Sequence, residues 1–321
     1  MALSQDYKRE LKVKAAYYYY KKDMKLADIA DELNISRVTL NKLLKEAMEE
    51  GIIRIDIIDQ DNTIGILEMQ QSVKERFELM DIVIVNSTTG SYYDVAHAAA
   101  RIVDGMMRDG IKISLTWGAT LELLVDFLNG SNHIKDIEVY TLVGAQGRIG
   151  MKMQPNTIAQ NLLGKYKGTG YVVNAPFICE TVETAQSIMR DGSFTEIVDK
   201  ARESDITLVG IGPTPNTAAS ISDMRYDIET VKELKNSNVC GDICSNFYDI
   251  YGNLTNNSLC DRFVKVSLDE LKQHKNVVGI ASGDHKVASI LGALNGGYLD
   301  TLITDRSTMV SVLEMADRLG L

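Results

Sequence analysis

The sequence predicts a two-domain α/β protein. A small helical domain occupies residues 1–58, a linker follows at 59–64, and residues 65–321 form a domain built on a mainly parallel sheet. Three observations predict this. At 321 residues the chain exceeds the ordinary span of one domain. Residues 7–49 carry apolar side chains at helical spacing. From Met80 onward, short apolar, β-rich runs alternate with helical stretches, as in a sheet covered by helices on both faces.

In chain order, YKRELKVKAAYYYYKK (7–22) reads as a first helix, with Leu11, Ala15, Tyr18 and Tyr19 at helical spacing. Its four tyrosines admit two readings: a stacking platform for single strands, or rings packed inside and at the edge of a three-helix core. The stretch Leu26–Lys45 is two short amphipathic helices joined by a tight turn. Ile29, Ala30 and Leu33 face one way in the first. Asn34-Ile35-Ser36 interrupts the pattern, and Ser36 supplies a hydroxyl for the orphan N–H groups of the next helix. That helix (36–49) is expected to bury Val38, Leu40, Leu43 and Leu44. Its other face offers Arg37, Thr39, Asn41, Lys42 and Lys45, with no carboxylate before Glu46.

Such a face suits the second helix of a helix-turn-helix in a major groove. An ordinary helical hairpin with a solvated basic face has the same pattern. In the DNA reading, Ser36, Arg37, Thr39, Asn41, Lys42 and Lys45 are the contacts. Arg37 and Asn41 suit base edges and the lysines suit phosphates. Lys21, Lys22 and Lys25 flank the preceding helix, where backbone phosphates would lie. Gly51 signals a helix end. Ile53, Ile55 and Ile57 then alternate with Arg54 and Asp56, which predicts a short wing strand, with Arg54 a further phosphate contact and the domain winged-helix-like.

Charge is uneven. Residues 1–55 carry eleven Lys and Arg against nine Asp and Glu, a net +2. The whole chain is −10, so the remainder is −12. A general polyanion binder is excluded, and nucleic-acid contact is confined to the N-terminal end. No apolar run approaches the ~18 residues of a membrane span, and MALSQDYKRELKVK lacks the apolar core of a signal peptide. The four cysteines (Cys179, Cys240, Cys244, Cys260) read as core thiols of a reducing cytoplasm, without zinc-ligand spacing. No metal and no cofactor is expected.

After the polar linker DQDNTIG, Ile66–Leu79 reads as a helix with Leu67, Val73 and Phe77 inward. The strand candidates are 81–85, 111–118, 137–144, 171–176, 206–212, 277–282 and 301–305, with FVKVSL (263–268) an antiparallel addition. In such sheets ligands bind where strands end and helices begin. Four glycine-bearing junctions stand out: Thr116–Thr120, Gly210–Thr214, Gly241–Cys244 and Ser282–Lys286. A glycine turn alone is often a backbone requirement, but four on one sheet favour a small polar or phosphorylated ligand. Lys286, in the first turn of a helix, stands at the wrong end of the helix dipole unless it faces an anion. Asp242 and Asp284 are acceptors for sugar hydroxyls. His97, His133, His274 and His285 are scattered, and no nucleophile elbow or complete phosphate-binding loop is present, so no catalytic residues are expected.

Taken together, ADIADELNISRVTLNKLLKEAMEEGIIRI, ISLTWGATL, ITLVGIG, VCGDICSNFYDIYGN and VVGIASGDHKVASILGALNGGYLDTLITD resemble, in this order and nearly end to end, the SorC family of bacterial sugar-responsive transcriptional regulators. The resemblance implies a Rossmann-like effector domain related to sugar-phosphate isomerases and deaminases, not itself an enzyme. It also implies homodimers or homotetramers on operator DNA, with a sugar or sugar phosphate shifting affinity and controlling a carbohydrate-utilisation operon. Position by position, it places Gly118, Thr120, Gln154, Asn156, Thr157, Asp242 and Lys286 at the effector. One relative carries an imine-forming lysine where this chain has Val143, so non-covalent binding is expected here, with Arg148 a further partner for a phosphate. Two other readings use the same residues: a sugar-phosphate-processing enzyme with an accessory N-terminal domain, and a sugar-binding adaptor whose N-terminal domain binds protein.

Overall fold

The computed structural model describes residues 5–55, 63–87, 91–145, 151–213, 237–255 and 260–321. The chain divides into two compact units, Met1–Thr63 and Ile64–Leu321. Arg148, Thr214 and most of the expected linker lie outside the described residues. Thr63 and Ile64 already belong to a helix.

In the first unit, α1 (Gln5–Ala16) continues as a wider π-helical turn, Tyr17–Lys21. α2 (Leu26–Glu32) and α3 (Arg37–Glu49) follow. Ala15, Ile29, Ala30, Leu40 and Leu44 form the core, with Tyr18, Leu33 and Ile53 packed against it. Only Tyr18 of the expected aromatic filling does so. Tyr19 is 37% exposed, and Tyr17 and Tyr20 are exposed too. Lys12 is buried and pairs with Glu46 at 2.8 Å and with Glu50, tying α1 to the end of α3.

Asn34 takes a left-handed conformation (φ 54°) to end α2, which its short polar side chain tolerates. Ser36 then caps α3, its hydroxyl accepting from the Thr39 N–H at 3.1 Å. Leu40, Leu43 and Leu44 are buried as expected. Val38 is not: it is 80% exposed, because two residues before Leu40 is the far side of a helix. The wing strand is absent over residues 51–55. Gly51 (φ 71°) turns the chain, and the Ile53 N–H folds back to the Ala47 carbonyl at 3.1 Å, so the backbone there is a helix end rather than extended. Ile57 lies outside the described residues.

The second unit begins with α4 (Thr63–Phe77), which buries Ile66 and Val73. Leu67 is 58% exposed, one position off the inward stripe. Among the described residues seven strands follow in one sheet: β1 (Asp81–Val85), β2 (Lys112–Leu115), β3 (Ile137–Thr141), β4 (Gly168–Tyr171), β5 (Ile206–Gly210), β8 (Val277–Ile280) and β9 (Thr301–Asp305). Their order is β1-β9-β8-β5-β2-β3-β4, and every pairing is parallel. Helices α5 (Tyr92–Met106), α6 (Ala119–Phe127) and α7 (Pro155–Lys165) cover one face. On the other lie α4, α8 (Val182–Arg190), α9 (Gly192–Ala201), α11 (Val287–Asn295) and α12 (Arg306–Leu319). A short α10 (Leu268–Leu271) opens on a capping box between Ser267 and Glu270. The central strands β5 and β8 are buried on both sides, hence their unbroken apolar runs.

Two strand readings need correction. The strand expected at 171–176 lies upstream, as β4. Its Gly168 is required by packing: a Cβ there would stand 2.0 Å from the Ile137 carbonyl oxygen. Gly241–Cys244 is not a strand-to-helix junction. It opens a buried antiparallel hairpin, β6 (Gly241–Ile243) and β7 (Asn246–Tyr248), turned by Cys244 and Ser245, both left-handed. Residues 263–268 add antiparallel bridges, Phe263 to Ile178 and Lys265 to Val143, without forming a strand of the main sheet.

The topology fixes where a ligand can bind. From β2 the chain steps outward through β3 to β4, then returns to place β5 on the other side of β2 and continues to β8 and β9. The connections leaving β2 and β5 therefore diverge, and in sheets of this kind ligands bind outside the carboxyl ends of such strands.

Candidate DNA-reading face and effector site

On α3, Ser36, Arg37, Thr39, Asn41, Lys42 and Lys45 are all exposed, as is Arg54 beyond it. They are not equally available. Ser36 Oγ and Thr39 Oγ1 lie 2.8 Å apart and bond each other as part of the cap. Lys45 stands 4.0 Å from Glu49. Arg37 and Asn41 carry no side-chain hydrogen bond or ion pair among the described residues. Val38 shares this exposed surface, and the sequence reading placed it in the core.

In the second unit, Gly118 precedes α6 with φ 122°, a conformation that favours glycine. Its N–H donates to the Met153 carbonyl at 3.3 Å. That bond joins the turn after β2 to the segment carrying Gln154, Asn156 and Thr157. Gln154 caps α7, with Asn156 and Thr157 half-buried in its first turn. Thr120 is buried in the first turn of α6. Asn156 reaches Asn174 at 3.4 Å through Nδ2, while its buried Oδ1 has no hydrogen-bond partner among the described residues.

β5 links this group to Asp242 and Lys286. The Gly210 N–H donates to Thr116 Oγ1 at 3.3 Å. Gly212 pairs with Asp242 in an antiparallel bridge, its N–H 2.8 Å from the Asp242 carbonyl. A Cβ at Gly212 would lie 1.8 Å from Asp242 Oδ1, so glycine is what lets the carboxylate sit there. Asp242 Oδ2 accepts from the Ser245 N–H at 3.0 Å.

Lys286 ends the short 3-10 turn Asp284–Lys286 before α11. Among the described residues it has no ion-pair partner within 4 Å. Burial pulls its pKa down to about 8, with Asp242 acting in the opposite sense. Burial likewise pushes Asp242 up to about 6, against the Ser245 N–H and the charges of Lys265 and Lys286. Asp242 is buried and Lys286 half-buried, and neither has an ion-pair partner among the described residues, an arrangement that favours a polar or charged ligand. Asp284 and His285 are exposed instead.

Sequence reasoning missed Lys265. Its ammonium donates to the Ser245 carbonyl at 2.7 Å and lies 5.4 Å from the centre of the Phe263 ring. Burial lowers its pKa, and Asp242 is among the charges opposing that shift. The antiparallel bridge sets Lys265 directly opposite Val143. No spacing rule exposes it, since FVKVSL reads simply as an alternating strand. Ser245 Oγ and Ser282 Oγ are further buried hydroxyls without hydrogen-bond partners among the described residues. Phe177 and Phe263 continue the aromatic cluster begun by Trp117, with 5.4 Å between the Trp117 and Phe177 ring centres.

A helix-turn-helix followed by a parallel-sheet domain with polar residues at its switch point defines the class of a ligand-responsive transcriptional regulator. Comparison with known proteins identifies the family. Residues 61–314 match the family model described as "Putative sugar-binding domain", and residues 13–52 match an HTH DNA-binding domain. The chain is 30% identical to the sorbitol operon regulator of Klebsiella pneumoniae over 94% of its own length and 97% of that protein's. It is 27% identical to the deoxyribonucleoside regulator of Bacillus subtilis, over 94% and 96% of the two chains. The solved full-length structure of the K. pneumoniae regulator SorC superposes with a TM-score of 0.72, covering 96% of this chain and 100% of that one at 29% identity. A transcriptional regulator from Streptococcus pneumoniae superposes at 0.73, covering 79% and 99% at 27% identity.

The chain belongs to the SorC family of sugar-binding transcriptional regulators. It is a regulator rather than an enzyme, with DNA and a sugar-type effector as its partners. Among the described residues, no helix is long and apolar enough to cross a membrane.

Proposed function

We propose that residues 1–58 read an operator in the cytoplasm as part of a homodimer or homotetramer, and that residues 65–321 hold the effector and the oligomer contacts. The recognition helix is α3, with Arg37 and Asn41 at base edges and Lys42 and Lys45 at phosphates. The effector is a sugar or sugar phosphate, and the target an operon for carbohydrate use. Regulation of sorbitol and deoxyribonucleoside genes by two relatives supports that class of target.

The effector site lies at the carboxyl ends of β2 and β5. The turn around Gly118 and Thr120, the Gln154–Thr157 segment, Asp242, Lys265 and Lys286 line it. The observation that carries this reading is Lys286, a half-buried lysine near enough to the buried Asp242 carboxylate to feel its charge, yet without an ion-pair partner among the described residues. A phosphate satisfies Lys286, and sugar hydroxyls satisfy Asp242 and Asn156 Oδ1. Val143 leaves no lysine at the imine-forming position, so binding is non-covalent. Effector binding repacks the subunits and so changes the separation of two recognition helices.

The experiment is thermal denaturation of the full chain with sugars and their phosphates side by side. A ligand at ~100 times its dissociation constant adds about 2.7 kcal/mol. The expected result is stabilisation by one phosphorylated sugar that Lys286→Met reduces by about 1.5–3 kcal/mol, the worth of a charged hydrogen bond. Stabilisation by a free sugar alone, unchanged in Lys286→Met, overturns the anion site.

A further inference from the structure

We propose that Val38 reads the 5-methyl group of a thymine in the operator, which makes it a determinant of sequence specificity. The proposal rests on α3 being the recognition helix.

Direction carries the argument. Successive residues turn about 100° around a helix, so the buried stripe Leu40, Leu43, Leu44 and Ala47 defines one side of α3, and Val38 lies about 180° from its centre. Asn41, Lys42 and Lys45 lie within about 60° of Val38, while Arg37 and Thr39 stand about 100° to either side. Val38 is therefore the outermost residue of the first turn, flanked by the polar groups of the same face. At 80% it is the most exposed large apolar side chain among the described residues.

A single exposed valine needs no partner in general. This one occupies the first turn of a helix whose N-terminal residues approach base edges. Its branched side chain gains nothing for the helix at an exposed position, where alanine is preferred. Ser36 and Thr39, the neighbouring hydroxyls, are engaged with each other. The groups left to meet bases from this turn are Arg37 and Val38. The one apolar feature that the major groove offers is the thymine methyl, and an aliphatic side chain is its complement.

The test begins with an operator selected by the full-length protein from random duplexes. Each thymine is then replaced in turn by deoxyuridine, which removes only the methyl group. At one thymine of a half-site the wild-type protein is expected to lose about fourfold in affinity, the worth of one buried methyl group. Val38→Ala is expected to lose most of this difference between the thymine and uracil duplexes, with a melting temperature no lower than that of the wild type. A methyl effect of equal size in wild type and Val38→Ala overturns the proposal, and so does the absence of any methyl effect. If those results come with loss of binding in Arg37→Ala, Val38 alone is misassigned. If Arg37→Ala also binds normally, or no duplex is selected at all, the recognition-helix assignment falls with it.

Discussion

Burial weakens the charges of Lys286 and Asp242 alike, and this gives the effector site a pH signature. Lys286 in the free protein loses its proton around pH 8. A bound anion favours the charged form and raises that pKa. Affinity for a phosphorylated effector is therefore full below pH 8 and falls as pH rises above it, a trend that Lys286→Met abolishes. Trp117, the chain's single tryptophan and a neighbour of the site, supplies the fluorescence readout. His274 gives an opposite limb. It is 6% exposed and meets Thr207 Oγ1 at 3.0 Å through Nδ1, and burial, with Arg202 nearby, lowers its pKa from 6.5 to about 4. The neutral ring is favoured in the folded state, so its contribution is complete above pH 6.5. It is lost as pH falls from there towards 4, by on the order of 3 kcal/mol. Denaturant titrations followed through Trp117 at pH 7 and pH 5 are expected to differ by less in His274→Gln than in wild type. Lys286 and Asp242 of the proposed site stood out in the sequence because each sits in a distinctive glycine-bearing run. Lys265 and Val38 did not. Lys265 pairs across from Val143, more than a hundred residues earlier, and Val38 was grouped with the core although its spacing of two from Leu40 puts it on the far side of the helix.

At the scale of elements, the pattern of apolar runs located most of the sheet, because strands buried on both faces must be apolar throughout. β4 escaped it, since glycines replace the expected branched residues where position 168 crowds the Ile137 backbone and position 170 the Leu163 side chain. The β6–β7 hairpin escaped for a different reason. Its two left-handed turn positions are Cys244 and Ser245, not the Asn-Gly pair that signals such a turn. That hairpin holds Asp242 against Gly212, so Gly212→Ala is expected to push the carboxylate out of place. It should cost about 1–3 kcal/mol of stability and abolish the effector-induced rise in melting temperature. In the first unit, the Ser36 cap is expected to be worth about 1 kcal/mol. Ser36→Ala should weaken binding to all operator variants alike, because its hydroxyl holds Thr39 and the helix start. A change of base preference in Ser36→Ala would make that hydroxyl a reader instead.

For the whole molecule, the uneven charge fits a division of labour between the units. Phosphate attraction is kept within the weakly basic first 55 residues, while the acidic remainder avoids non-specific hold on DNA. Family membership was legible from long runs in a fixed order. The surfaces of the proposed oligomer were not, since a surface that meets another copy carries no spacing of its own. The central claim is that effector and operator act on one another through this single chain. Linkage makes the effect reciprocal, and couplings of this kind are commonly about 5–150-fold. The most direct measurement is the effector's dissociation constant for the full-length protein, read from Trp117 fluorescence with and without saturating operator DNA. The account predicts a ratio clearly different from one, equal to the ratio of operator affinities with and without effector. A ratio of one, with both ligands bound at the same time, would contradict it.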